Sequence, residues 1–345
     1  MIRDRKAGFR FVTFAIGLCL VVVILGAWTR LVDAGLGCPD WPGCYGFAGI
    51  PMSPERIERA QMRFPDAPVE VDKAWPEMVH RYFAGILGLV ILALAVLAWR
   101  RRQDPEQPVL LPFILLAVVT VQAAFGAWTV TLKLWPQVVT AHLLGGFLTL
   151  SLLWLLYLRL GWRRQAPTGE LALTLGRLRP WVVAGIVLLV AQIALGGWVS
   201  SNYAALACPD FPTCQGRWWP EADFAHGFNI LQEVGPNYLG GLMYSEGRIA
   251  IHLTHRLGAI AVALVLGFLS WRLWRTPHSW QLAPLGITLA GVLLLQILLG
   301  VANVVFSLPL VVATAHNAVA AVLLLVMVTI NHRVRAGRTS TEIGA

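Results

Sequence analysis

The sequence predicts an all-α membrane protein: eight transmembrane helices forming two duplicated four-helix bundles, related by a pseudo-twofold axis along the membrane normal. Three observations predict it. The 345 residues are 57% hydrophobic and only 13% charged, too apolar for a soluble domain. Eight separate runs are long enough for helices that cross a bilayer core, which takes about 20 apolar residues each. The second half of the chain also repeats motifs of the first at matching spacings.

The first run, Phe9–Thr29, is longer than the apolar region of a secretion signal. No small-x-small cleavage site precedes polar chain, so it reads as a span that is kept. A long loop, Leu31–Pro76, follows. Val79–Trp99, Val109–Leu132 and Val138–Leu160 complete the first set, and a polar loop, Gly161–Pro180, joins the halves. The second set is Trp181–Ser201, a long loop Asn202–Arg248, then Ile249–Trp271, Leu282–Phe306 and Leu310–Ile330. Beyond Asn331 the tail is polar. The runs are continuous rather than alternating, and a helix satisfies its own backbone groups in lipid, so helices rather than barrel strands are expected. The halves are residues 1–165 and 166–345. The two long loops carry Pro, Gly, Trp and charged residues, are too short for domains of their own, and read as lids.

The formal charge of +9 is topological rather than a nucleic-acid footprint. With eight spans both termini lie on one side. That side holds 17 basic residues: Arg3, Arg5, Lys6, Arg10, Arg100, Arg101, Arg102, Arg159, Arg163, Arg164, Arg177, Arg179, Arg272, Arg275, Arg333, Arg335 and Arg338. Five acidic residues face them: Asp4, Asp104, Glu106, Glu170 and Glu342. The other side holds 10 basic and 13 acidic residues. The positive-inside rule puts both termini in the cytoplasm, and nucleic acid is not an expected partner.

The repeat is detailed. Gly26 precedes Cys38 by twelve residues, as Gly196 precedes Cys208. Cys-Pro-Asp-Trp-Pro-Gly-Cys over 38–44 matches Cys-Pro-Asp-Phe-Pro-Thr-Cys over 208–214, and His80-Arg81 matches His255-Arg256. Gly126 precedes His142 by sixteen residues, as Gly300 precedes His316. Gln122, Gln192 and Gln296 each stand four residues before a glycine. Four helices per half keep the halves in the same orientation, and a four-helix bundle is a scaffold that holds cofactors between facing helices.

Histidine inside a span is costly and marks function. His80 opens the second predicted helix and His142 lies six residues after Pro136 in the fourth; His255 and His316 hold the same places in the sixth and eighth. One such histidine alone is better explained by a hydrogen bond between helices. Four in duplicated register, near one membrane face, suit two sites with two axial positions each, which is the need of haem iron. His252 lies one turn before His255, and the alignment with His80 chooses His255. Arg81, Arg256 and Arg30 near the same face could pair with haem propionates or snorkel to the interface. Glu77 is one turn before His80, where the second half has His252. It has two readings: a base or charge stabiliser beside a cofactor, or favourable placement at a helix N-terminus behind Pro76. The pairs Cys38/Cys44 and Cys208/Cys214 lie on the oxidising side and read first as disulfides. A shared four-sulfur zinc site is the weaker reading, since the spacing exceeds the usual one. Cys19 sits alone in the first span as packing. Gly85, Gly88, Gly145 and Gly146 read as close-packing positions.

Together these residues resemble the haem A synthase family. The resemblance covers nearly the whole chain, and its most specific parts are residues 35–44, Glu77 to Arg81, Thr140 to His142, Thr254 to Arg256 and Thr314 to Asn317. It implies oxidation of the carbon-8 methyl of haem O to a formyl group by successive hydroxylations. It implies haem O near His80 and His142, a haem b cofactor held by His255 and His316, and a catalytic role for Glu77. The first cysteine pair matches one found in some family members. The implied setting is a bacterial inner membrane, with the haem sites and cysteine loops toward the outer face. The implied partners are a haem O synthase as supplier, an electron-transfer partner, lipid, and further copies of the chain in a homo-oligomer. The competing expectation is a di-haem membrane cytochrome moving electrons between quinol and an outer partner, which has no need of Glu77. A transporter built from parallel repeats would need paired midplane charges, which the spans lack.

Overall fold

A computed structural model describes residues 7–161, 169–276 and 282–335. Arg3, Asp4, Arg5, Lys6, Arg163, Arg164, Arg338 and Glu342 of the topology argument lie outside the described residues, as does the side chain of Glu170. Among the described residues the elements are all helices: α1 (Phe9–Leu31), α2 (Pro54–Arg63), α3 (Val71–Arg100), α4 (Leu110–Thr131), α5 (Pro136–Gly161), α6 (Gly169–Ser201), α7 (Phe224–Gly227), α8 (Ser245–Trp274), α9 (Ala283–Val305) and α10 (Leu310–Arg335). Eight of them are long and apolar enough to cross a membrane; α2 and α7 belong to the loops after α1 and α6. The protein is an integral membrane protein, and large apolar side chains such as Leu89, Val187, Leu264 and Leu294 point outward, as they do where lipid is the solvent.

Three boundaries differ from expectation. α3 starts at Val71, so Pro76 lies inside the helix and His80 is ten residues into it rather than at its start. The polar first turn with Asp72 and Lys73 hid this start, and Pro76 mimicked a stop. Glu77 is therefore not at a helix N-terminus, and that explanation of it falls. α8 likewise begins at Ser245, ahead of Ile249. α6 begins at Gly169 and runs through Pro180, so the expected inner loop Gly161–Pro180 is mostly helix.

The helices pack as two sets. α1 touches α3 and α5, α3 touches α4, and α4 touches α5; α6 touches α8 and α10, α8 touches α9, and α9 touches α10. Contacts of α5 with α6, and of α10 with α1 and α5, join the sets. This pairing is compatible with two repeated bundles. The backbone carries matching marks: left-handed φ at Asp33 and Tyr203, at Tyr45 and Gln215, and at the α4–α5 and α9–α10 turns (Lys133 and Leu134, Ser307 and Leu308).

The core is concentrated toward the termini side. Val12 and Ala15 from the start of α1, Leu153 and Leu156 from the end of α5, Leu266 and Leu269 from α8, and Met327 and Ile330 from α10 form one buried cluster. The four histidines lie toward the other end and are themselves half-buried, beneath smaller buried clusters formed with the loops. Gly85 and Gly88 are not packing positions: a Cβ at either would meet nothing within 4 Å. Gly145 is one, since a Cβ there would collide with the Gln122 amide.

Candidate functional site

His80 on α3 and His142 on α5 face each other with ring centres 6.4 Å apart and planes at 87°. Each keeps Nδ1 buried without a hydrogen-bond partner. An iron held by two imidazoles places the ring centres about 6 Å apart, given metal–nitrogen bonds of about 2 Å. The separation and the orphaned nitrogens therefore fit a bis-histidine haem. His255 on α8 and His316 on α10 are close enough to interact electrostatically.

Each of the four rings rests its Cε1 edge against a glycine on the preceding span. A Cβ would come within 3.0 Å of His80 at Gly26, 3.5 Å of His142 at Gly126, 3.3 Å of His255 at Gly196 and 3.1 Å of His316 at Gly300. Cε1 adjoins Nε2, so a larger residue would push the metal-binding edge out of place. The sixteen-residue spacing from Gly126 to His142 and from Gly300 to His316 is the trace of this backing in the sequence.

Glu77 is buried, 5% exposed. Its Oε2 accepts the N–H of Cys38 at 3.0 Å, and its Oε1 is paired with Arg81, one turn on. Arg81 also donates to the carbonyls of Asp40 at 2.9 Å and Gly43 at 2.5 Å. The carboxylate, the arginine and the first lid form one hydrogen-bonded cluster a turn before and after His80. In the second half His252 is buried with Nδ1 3.0 Å from the Ala204 carbonyl. Arg256 donates to the carbonyls of Asp210 and Thr213, both at 2.8 Å, and of Cys208 at 3.1 Å. Its Nε stays buried without a partner.

Each lid is closed by its own disulfide, Cys38–Cys44 with Cα atoms 4.8 Å apart and Cys208–Cys214 with 4.6 Å. Bonded within their loops, the four sulfurs do not assemble a zinc site. Cys19 is free and buried. An aspartate knots each lid from inside. Asp40 accepts the N–H groups of Tyr45 and Gly46, both at 2.6 Å; Asp210 accepts those of Gln215 at 2.5 Å and Gly216 at 3.0 Å. The Thr213 hydroxyl, then these N–H groups, hold the Asp210 carboxyl below the usual range.

Arg30 lies at the joint between the halves. It donates to the Ser200 carbonyl at 2.6 Å, reaches Asp33 at 3.3 Å and covers the Tyr203 ring at 4.0 Å. Thr140 and Ser201 share a hydroxyl contact of 3.2 Å across the same joint. The sequence singled out Arg30 but gave no sign of this partner. It also gave Gln192 and Gln296 no role beyond their spacing; both reach site histidines, Gln192 at 3.1 Å from His255 Nδ1 and Gln296 at 3.2 Å from His316 Nε2.

A family model described as COX15-CtaA, cytochrome oxidase assembly protein, matches residues 9–328. The chain is 46% identical over 313 residues to a haem A synthase of Shewanella oneidensis, covering 91% of this chain and 92% of that protein. A haem A synthase of a Caulobacter species is 28% identical, over 92% of this chain and 93% of its own. One from Halalkalibacterium halodurans is 25% identical, over 88% and 89%.

Proposed function

The chain belongs to the COX15-CtaA family of cytochrome oxidase assembly proteins, and from that premise we infer that it is a haem A synthase, an oxidoreductase acting on haem O, whose two halves divide the work. The first half, residues 1–165, receives haem O as substrate between His80 and His142. The second, residues 166–345, keeps a haem b between His255 and His316. When bound, that haem supplies one-electron transfer. The product is haem A, formed as the carbon-8 methyl of haem O is oxidised stepwise to a formyl group.

The observation that carries this reading is the buried Glu77 one turn from His80, present in one half only. Chemistry on a substrate belongs where the halves differ, while an electron relay needs only ligands and insulation. Arg81 and the Cys38 N–H hold both carboxylate oxygens of Glu77, so it is fixed one turn from His80. From there it takes up a proton or balances positive charge as the methyl carbon is oxidised. The free Nε of Arg256 is a donor for a haem propionate, and Arg81 and Arg30 are the arginines assigned that role in the first half. The excess of basic residues on the termini side supports a cytoplasmic position for both termini, with the lids outside. A haem O synthase supplies the substrate; with water as the source of the formyl oxygen, each methyl oxidised to formyl releases four protons and four electrons, and an electron-transfer partner takes up the electrons.

The test is co-expression with a haem O synthase in a host that makes no haem A of its own. Haem A extracted from the membranes of cells carrying this chain, and absent without it, supports the reading. Unchanged haem O contradicts it.

A further inference from the structure

Gln122, Gln192 and Gln296 stand at one level of α4, α6 and α9, each a turn before the glycine that backs a histidine. Gln192 has the fullest set of contacts. Its Nε2 lies 3.1 Å from Nδ1 of His255 and donates to that residue's backbone carbonyl at 2.9 Å, so one amide grips the ring and the main chain together. Its Oε1 is buried without a partner. The amide fits a notch at Gly258, one turn past His255, where a Cβ would collide with Oε1.

A neutral imidazole carries one N–H, and the partner of one nitrogen decides what the other can bind. A ring that gives Nε2 to iron carries its proton on Nδ1 and needs an acceptor there. The unpartnered Oε1 belongs to the amide already beside Nδ1, and rotation about the last side-chain bond brings it to that proton. The His255 carbonyl, inside a helix, keeps its intrahelical partner when the amide turns.

We propose that Gln192 is a positioning residue for His255, orienting the ring through Nδ1 so that Nε2 serves as the haem ligand. This rests on the reading of the second half as the site of a resident haem. The first half supplies the contrast. At His80 the place of the glutamine is taken by Val22, which offers only its backbone. The two histidines assigned to a substrate that enters and leaves, His80 and His142, both keep Nδ1 without a hydrogen-bond partner. Ligands held by such partners donate more strongly and release metal more slowly.

The experiment uses the full chain purified in detergent, as wild type, Gln192→Leu and Gln192→Glu. It records the midpoint potential of the second-half haem, its ferric electron-spin resonance, and the rate of haem transfer to apomyoglobin. Leu removes the acceptor, so the potential rises and haem affinity falls by about 10- to 100-fold. Glu is a stronger acceptor, so the potential falls. Opposite shifts from the two variants cannot come from lost packing. Wild-type potentials in both variants, or shifts in one direction, overturn the assignment while leaving the haem reading standing. A wild-type protein without haem overturns both.

Discussion

Alanine at the four glycines that back the histidines gives a graded test, because the distances differ. Alanine in a helix gains about 1 kcal/mol over glycine. At Gly126 the new Cβ would meet His142 at 3.5 Å, an ordinary contact, so Gly126→Ala keeps its haem and gains stability. At Gly26 and Gly300 it would meet Cε1 at 3.0 and 3.1 Å, and at Gly196 at 3.3 Å. There the ring has to give way. Overpacking of this kind costs about 1 to 3 kcal/mol, which in affinity is about 5- to 150-fold. The assay is haem per polypeptide, with the melting temperature, after co-expression with a haem O synthase. The expected order of haem content is Gly126→Ala near wild type, then Gly196→Ala, with Gly300→Ala and Gly26→Ala lowest. Gly85→Ala, where a Cβ meets nothing, is the control that raises stability alone. Loss at Gly126→Ala equal to that at Gly26→Ala, or full haem content in all four, would refute the backing of the rings.

Other outcomes follow from the same geometry. Glu77→Ala leaves the Arg81 guanidinium, 12% exposed, without its counter-charge, a loss of about 3 to 5 kcal/mol for a buried pair. Glu77→Gln keeps shape and an acceptor, so it melts closer to wild type while haem A formation falls; equal product from Glu77→Gln would remove the catalytic role. The lowered pKa of Asp210 means that its support of the second lid is present above the ordinary carboxylate range, about 4, and is lost as pH falls through the lowered value. Protection of the amides over 208–217, measured relative to intrinsic exchange at each pH, should therefore be flat from pH 7 to 5 and fall only below that range, and Asp210→Asn should show reduced protection at pH 7. Non-reducing peptide mapping should find Cys38 joined to Cys44 and Cys208 to Cys214, with no stoichiometric zinc. Cysteine placed at Arg102 should resist a membrane-impermeant thiol reagent that labels one placed at Trp218; the reverse pattern would invert the orientation.

Spans and paired histidines were legible because each leaves a local or periodic mark. A continuous apolar run betrays a membrane helix, and the repeat lifted four histidines above coincidence. The starts of α3 and α8 were not legible, since polar first turns around Asp72 and Glu246 interrupt the hydropathy signal and Pro76 reads as a boundary. Contacts that join distant segments left no spacing at all. Arg30 meets Ser200 across 170 residues, and Arg81 reaches back to carbonyls of the first lid about 40 residues away. Gly85 and Gly88 misled for a related reason, because composition does not say whether a helix face meets another helix or lipid. The glutamine spacing was visible, but its meaning needed the rings beside it.

The division of labour between the halves is tested most directly by the haems that remain when one pair of ligands is broken. His142→Ala and His316→Ala are purified after co-expression with a haem O synthase, and the extracted haems are identified by liquid chromatography with mass detection. The account expects His142→Ala to lose haem O and its oxidised products while keeping haem b, and His316→Ala to lose haem b. Loss of the same haem from both variants, or of none from either, would contradict it.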